Sequence, residues 1–362
     1  MTDNSDRPQD EASPSPMRSV YTSNVPGILA ECGISLAVST YQAGHVIVTR
    51  PDGEELNTHF RTFPRPMGMA TGPGRLALGM AREIVEFRNM MTAAEKLEPP
   101  GKHDACYLPR DCHITGDIDV HEMAYAGEEL WLVNTRFSCL CTLDRAHSFV
   151  PRWRPPFVSA LAPEDRCHLN GLAMVDDRPR YVTAMGTTDA HEAWRENKAH
   201  GGIVMDVDSG ETIASGLSMP HSPRWHQDRL WILESGDGSI GTVDPGSGRY
   251  EPVVRLDGFT RGLAFHGPLA FIGLSQVRET ATFSGLPLTE RLSERICGVS
   301  VVHLERGEEI AFVRFEDAVQ EIFAVVVLPH RFPDLLEPSD GRLAKTYALP
   351  DETLPDVDQA TT

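Results

Sequence analysis

The chain has 362 residues, 23% charged and 41% hydrophobic, which is an ordinary globular composition, and it carries a formal net charge of −19. That charge repels a polyanion and no basic patch offsets it, so nucleic acid is excluded as a partner. No run of about eighteen apolar residues and no apolar signal core occurs, which leads to the expectation of a soluble, cytoplasmic protein without a membrane partner.

Residues 1–26 are rich in Ser, Pro and Asp and poor in large apolar groups, so they read as a tail that cannot repay its own ordering entropy. Three strand-like segments follow: ISLAVST (34–40), HVIVTR (45–50) and LNTHFRTF (56–63). Next comes RPMGMATGPGRLALGM (65–80), a weak copy of a pattern that recurs in stronger form. The pattern is clearest in DIDVHEMAYAGEELWLVNT (117–135): a short strand, a polar turn at Gly127, and a second apolar strand. It returns as HLNGLAMVDDRPRYVTAM (168–185), PHSPRWHQDRLWILES (220–235) and TRGLAFHGPLAFIGLS (260–275).

Copies spaced by roughly forty to fifty residues, each with several strands, predict a β-propeller. The fold class expected is therefore all-β, a six-bladed propeller, with five or seven blades also compatible with the weaker copies. EIFAVVVLP (321–329) is a leading strand with no followers, while the N-terminal strands lack a leader. Joined, they complete one blade and close the ring, removing two exposed sheet edges. One propeller domain is expected over 27–338, with a polar tail over 339–362.

Three stretches interrupt the rhythm, at 89–117, 186–201 and 276–296. The last two fall between second and third strands, at the end of the ring where each innermost strand begins. The first is expected to lead into His121. All three are expected to wall the axial mouth.

Aligning the copies picks out one residue just before each innermost strand: Met67, His121, Asn170, His221, Arg261 and, for the composite blade, Glu321. Innermost strands line a propeller's channel, so these six are expected to converge. Two imidazoles and a carboxylate facing inward suit a catalytic divalent metal, zinc or iron, with His121, His221 and Glu321 as ligands. Arg261 would clamp a substrate anion and Asn170 would orient it. His168, Asp119 and Glu122 stand near enough in sequence to substitute. Loops between second and third strands supply polar rim candidates, among them Tyr41, Asn134, Asp189, Glu234, Arg278 and Glu279. A ring of polar side chains that only binds water and backbone is the plainer alternative.

Seven cysteines, with no CxxC pair, do not form a disulfide framework. Cys139 and Cys141 share a strand face and read as buried thiols, with a redox pair as the alternative. No zincin helix, GxSxG elbow, Walker loop or Rossmann fingerprint follows a strand.

The motifs DIDVHEMA, LWLVNTRFSCL, HLNGLAM, MPHSPRW, GFTRGLAF with GLSQVRE, and QEIFAVVVLPHRFP resemble those of a bacterial conserved-hypothetical family, a domain of unknown function, over about residues 30–335. That resemblance implies a shared fold and no assigned activity. At the level of fold, the six-bladed reading is also similar to NHL-type and gluconolactonase-like propellers, some of which hold a metal at the axis. The functional expectation is a metal-dependent enzyme acting on a small polar or peptide substrate, as a lyase or hydrolase in preference to an oxidase. The alternative is a non-catalytic propeller that binds a peptide or small polar ligand.

Overall fold

A computed structural model describes residues 17–277, 284–350 and 352–353. Six sheets of four or five strands succeed one another along the chain. Blade 1 is built from Met69–Gly72, Arg75–Gly79, Glu83–Asn89 and Ala105–Ile114. Blade 2 follows with Val120–Ala126, Glu129–Asn134, Cys139–Thr142 and Val150–Trp153. Blade 3 holds Leu169–Val175, Arg178–Ala184, Gly202–Asp206 and Thr212–Leu217, and blade 4 holds Pro220–His226, Arg229–Glu234, Ser239–Val243 and Tyr250–Arg255. Blade 5 is Phe259–His266, Leu269–Ser275, Gly298–His303 and Glu308–Phe315.

The sixth blade joins the two ends of the sequence. Ala324–Leu328 is its innermost strand and pairs with Ser35–Ser39, followed by His45–Asp52 and Glu55–Thr62. The six innermost strands contact one another in a closed circle, with Ala324–Leu328 against Met69–Gly72. The fold is thus the six-bladed propeller expected, closed as expected.

The hairpins explain why each copy folds locally. In blade 3 the two-residue turn Asp176–Asp177 has φ of 49° and 59°, and in blade 4 Gln227–Asp228 has 50° and 56°. Two successive positive φ values define the type I′ turn, whose twist matches that of the strands it joins. Between blades the tie is a hydroxyl that ends the second strand of blades 2, 4, 5 and 6. Thr135 donates to the carbonyl of Leu169, Ser235 to Thr260, Ser275 to Ile322 and Ser39 to Met67. Each bond crosses from one blade to the next, and each is buried.

Two details depart from expectation. Ser19–Tyr21 lies within the stretch read as tail, yet it pairs with Glu308–Phe315 and covers the outer edge of blade 5; residues 1–16 of that tail lie outside the described residues. The stretch 89–117 does not wall the mouth beside His121. Its last part, Ala105–Ile114, is the fourth strand of blade 1, so the irregular part joins third and fourth strands. In an antiparallel blade that turn lies at the opposite end from the start of the innermost strand. There Ala94, Leu97, Cys106 and Leu108 pack against Leu336 and Leu343, so part of the C-terminal stretch is docked. Pro333–Leu335 runs parallel to Ala105–Ile114 and shields that blade's edge.

Candidate functional site

At the end of the ring where the innermost strands begin lies a cavity of about 190 Å³. At the start of the innermost strand, blades 2, 4, 5 and 6 each offer it two residues, two positions apart, and blade 3 offers one. The first set is Asp119, His168, Met219, Phe259 and Glu321; of the second, His121, His221, Arg261 and Phe323 line the cavity. Asp119, His168 and Met219 all have φ near +50°, a left-handed turn that precedes three consecutive innermost strands.

This arrangement refines the predicted set. His121, His221, Arg261 and Glu321 do reach one cavity. Glu321 is not the equivalent of Arg261, however: Ser275 donates to Ile322 as Ser235 donates to Thr260, which makes Phe323 the counterpart of Arg261. Asn170 is not among the lining residues. It is buried, its Oδ1 accepts from Thr183, and its blade presents His168 instead. Of the rim candidates, Tyr41 lines the cavity, while Arg278 and Glu279 lie outside the described residues.

The three imidazoles are held in one tautomer. Nδ1 of His121 is 3.0 Å from the Asp119 carbonyl and 2.9 Å from Thr135 Oγ1. Thr135 spends its own proton on Leu169, so toward the ring it can only accept, and Nδ1 must carry the hydrogen. His221 repeats the arrangement with the Met219 carbonyl at 3.0 Å and Ser235 Oγ at 2.9 Å. His168 donates from Nδ1 to the carboxylate of Asp165 at 2.8 Å, which also accepts from Trp194 Nε1 at 3.0 Å. In the neutral form this leaves His121 and His221 each with a lone pair on Nε2. Burial, reinforced by the nearby Arg261 cation, holds His121 and His221 well below the ordinary histidine range, so both are neutral at pH 7.

Arg261 is the cation of the cavity. Its guanidinium lies 3.4 Å over the Phe323 ring, and Tyr41 stacks on Phe323 at 5.5 Å. Nη1 makes a long pair with Glu321 at 3.6 Å, and Nη2 is buried with no partner among the described residues. Burial raises the Glu321 carboxyl above its usual range while Arg261 opposes that shift. Tyr41 sits at φ +48°, unusual for a bulky residue and a mark of local strain. Among the described residues no three His, Cys, Asp or Glu side chains are grouped closely enough to enclose an ion.

The second and third insertions wall this mouth as expected. Trp194 from the second packs with Leu286 and Leu288 from the third, and with Met185, Met219 and Phe259 below them. At the channel's other end a larger cavity of about 620 Å³ is lined mainly by apolar groups such as Met69, Met123, Leu172 and Val325. In the wall of that cavity, Arg224 bonds Glu122 at 2.8 Å and the carbonyls of Leu263, Leu172 and Pro223. Its acceptors lie on four blades, so it ties their innermost strands together.

The sequence profile of a domain of unknown function, DUF4915, matches residues 23–336. No curated protein matches the chain. A chain in the crystal structure of a nidogen/laminin complex superimposes with a TM-score of 0.53 at 10% identity, over 82% of this chain and 100% of that one. At that identity the likeness concerns the propeller fold alone.

Proposed function

Since the chain belongs to the DUF4915 family, whose activity is unassigned, its role must be argued from its hub, and we propose that the hub binds a small polar molecule through an anionic group seated on Arg261. One observation carries this reading: a guanidinium stacked on an aromatic ring, with a buried Nη2 that has no partner among the described residues and its ion pair to Glu321 stretched to 3.6 Å. Leaving such a donor buried without a partner is costly, and a ligand oxygen would relieve that cost. Inorganic phosphate and acetate, titrated against the full chain by calorimetry, test it. Binding that is lost in Arg261→Met and retained in Arg82→Met, which alters an exposed arginine outside the cavity lining, supports the reading. Equal binding in both variants, or none in the native protein, removes it.

A second reading keeps the metal-dependent enzyme, with zinc or iron in the hub and lyase or hydrolase chemistry. What favours it is that His121, His168 and His221 each give their Nδ1 hydrogen to an outer acceptor, as metal-bound histidines do. His168 would then take the place first given to Glu321, which Arg261 engages. The ion would supply Lewis acidity toward the substrate. As placed, the side chains do not enclose an ion, so the rings would have to turn toward a common point. Elemental analysis of protein purified without a histidine tag decides it: near-stoichiometric metal, lost in His168→Ala, is expected on this reading. We also infer a cytoplasmic setting, favoured by seven cysteines that are all unpaired. No helix among the described residues is long and apolar enough to cross a membrane.

A further inference from the structure

The geometry points to an α-amino acid, or a molecule with an ammonium beside a carboxylate, as the ligand of the hub. This rests on the seat for an anion at Arg261 and goes on to ask what the remaining wall would accept.

The wall is rich in acceptors. His121 and His221 spend their Nδ1 hydrogens on the carbonyls of Asp119 and Met219 and on the hydroxyls of Thr135 and Ser235. His168 spends its own on Asp165. His121 and His221 therefore offer the cavity a lone pair on Nε2 and no hydrogen. Two carboxylates, Asp119 and Glu321, line the same space. Against these stands Arg261 as the only fixed cation of the lining at neutral pH besides Arg195, which the second insertion supplies at the rim and which stacks on Trp194.

A plain anion satisfies Arg261 and leaves the imidazole and carboxylate acceptors unmet. A polyanion adds repulsion from both carboxylates. An amine alone meets the acceptors and leaves the buried guanidinium unpaired. A molecule with one carboxylate and an adjacent ammonium meets both sides at once, because three N–H donors converge on one atom next to the anion.

Size agrees with this choice. Sites for drug-sized molecules run from about 300 Å³ upward, and this cavity holds about 190 Å³. A single amino acid fits that space, whereas an internal peptide segment has neither free terminus to offer. Trp194, Phe259 and Met185 give the side chain an apolar wall, with Trp194 supplied by the second insertion.

The test is calorimetric titration of the full chain with each standard amino acid, then with the two halves of the best binder, the acid lacking its amine and the amine lacking its acid. The whole molecule is expected to bind at least about 10-fold more tightly than either half, the low end for one charge-assisted hydrogen bond forgone. Arg261→Met should reduce the amino acid to the affinity of its amine half. Asp119→Asn, at a partly exposed position that does not threaten folding, should move it toward that of its acid half. An acid half that binds as well as the whole overturns the assignment. If phosphate binds and no amino acid does, the anion seat stands and this inference falls. If nothing binds, both fall. Zinc bound one to one through His168, with amino acids excluded, also overturns it.

Discussion

Replacing Thr135 with valine keeps the shape of the side chain and removes one hydroxyl, and that hydroxyl joins three parts of the hub. It donates to the Leu169 carbonyl of the next blade at 2.6 Å and accepts from His121 Nδ1 at 2.9 Å, and the residue is fully buried. In the variant Leu169 loses its side-chain donor in a place water does not reach. His121 keeps the Asp119 carbonyl at 3.0 Å, so its loss is partial. An interior polar group deprived of a partner costs about 1–3 kcal/mol, which places the expected destabilisation near 2 kcal/mol. Thr135→Ser retains the hydroxyl and gives up one methyl, so it should cost no more than about 1 kcal/mol. Urea unfolding followed by fluorescence of the five tryptophans reads both. A valine variant within about 0.5 kcal/mol of the native protein would refute the claim that these hydroxyls staple neighbouring blades and fix the imidazole tautomer.

The neutral histidines make stability depend on pH with a definite sign. His121 and His221 are held well below the ordinary value of 6.5 by burial and by Arg261, so below pH 6.5 the unfolded chain takes up protons that the folded chain does not. Stability is therefore fully present above about pH 7 and falls as the pH drops through the unfolded value, by up to about 1.4 kcal/mol per pH unit for each histidine. Urea midpoints between pH 7.5 and 5 should show the decline, and the double variant His121→Gln, His221→Gln should flatten it; an unchanged slope would contradict the burial argument. Gly262 has φ +81°, and a Cβ there would stand 2.7 Å from the Val325 nitrogen and 2.9 Å from Ala324 Cα, both backbone. Gly262→Ala should cost more than about 2 kcal/mol from strain and displacement together, measured in the same unfolding assay, and a neutral effect would mean that blades 5 and 6 can part without penalty.

The repeat, the hairpins and the ring closure were legible because each depends on local periodicity and turn chemistry. DVHEMAYAGEELWLVN alternates and turns within a few residues, and so do its copies. The leading strand EIFAVVVLP has no local partner, which is itself a signal that the N-terminal strands complete its blade. The insertions at 186–201 and 276–296 are legible for the same reason: they interrupt a known position in the pattern, between second and third strands.

What the sequence left open at the hub differs by two residues each time. Strand side chains alternate with period two, so a slip of one residue exposes itself by turning the apolar face outward, whereas a slip of two preserves every face. Glu321 and Phe323 satisfy the same alternation, and so do His168 and Asn170. The hydroxyl at the end of four of the second strands, visible in sequence as Thr135, Ser235, Ser275 and Ser39, carries the register across blades once its partners are seen. Only the assembled ring supplies those partners. It seats Phe323 beneath Arg261 and turns His168 inward from a left-handed residue, because the bonds that decide the matter run between segments far apart in the chain.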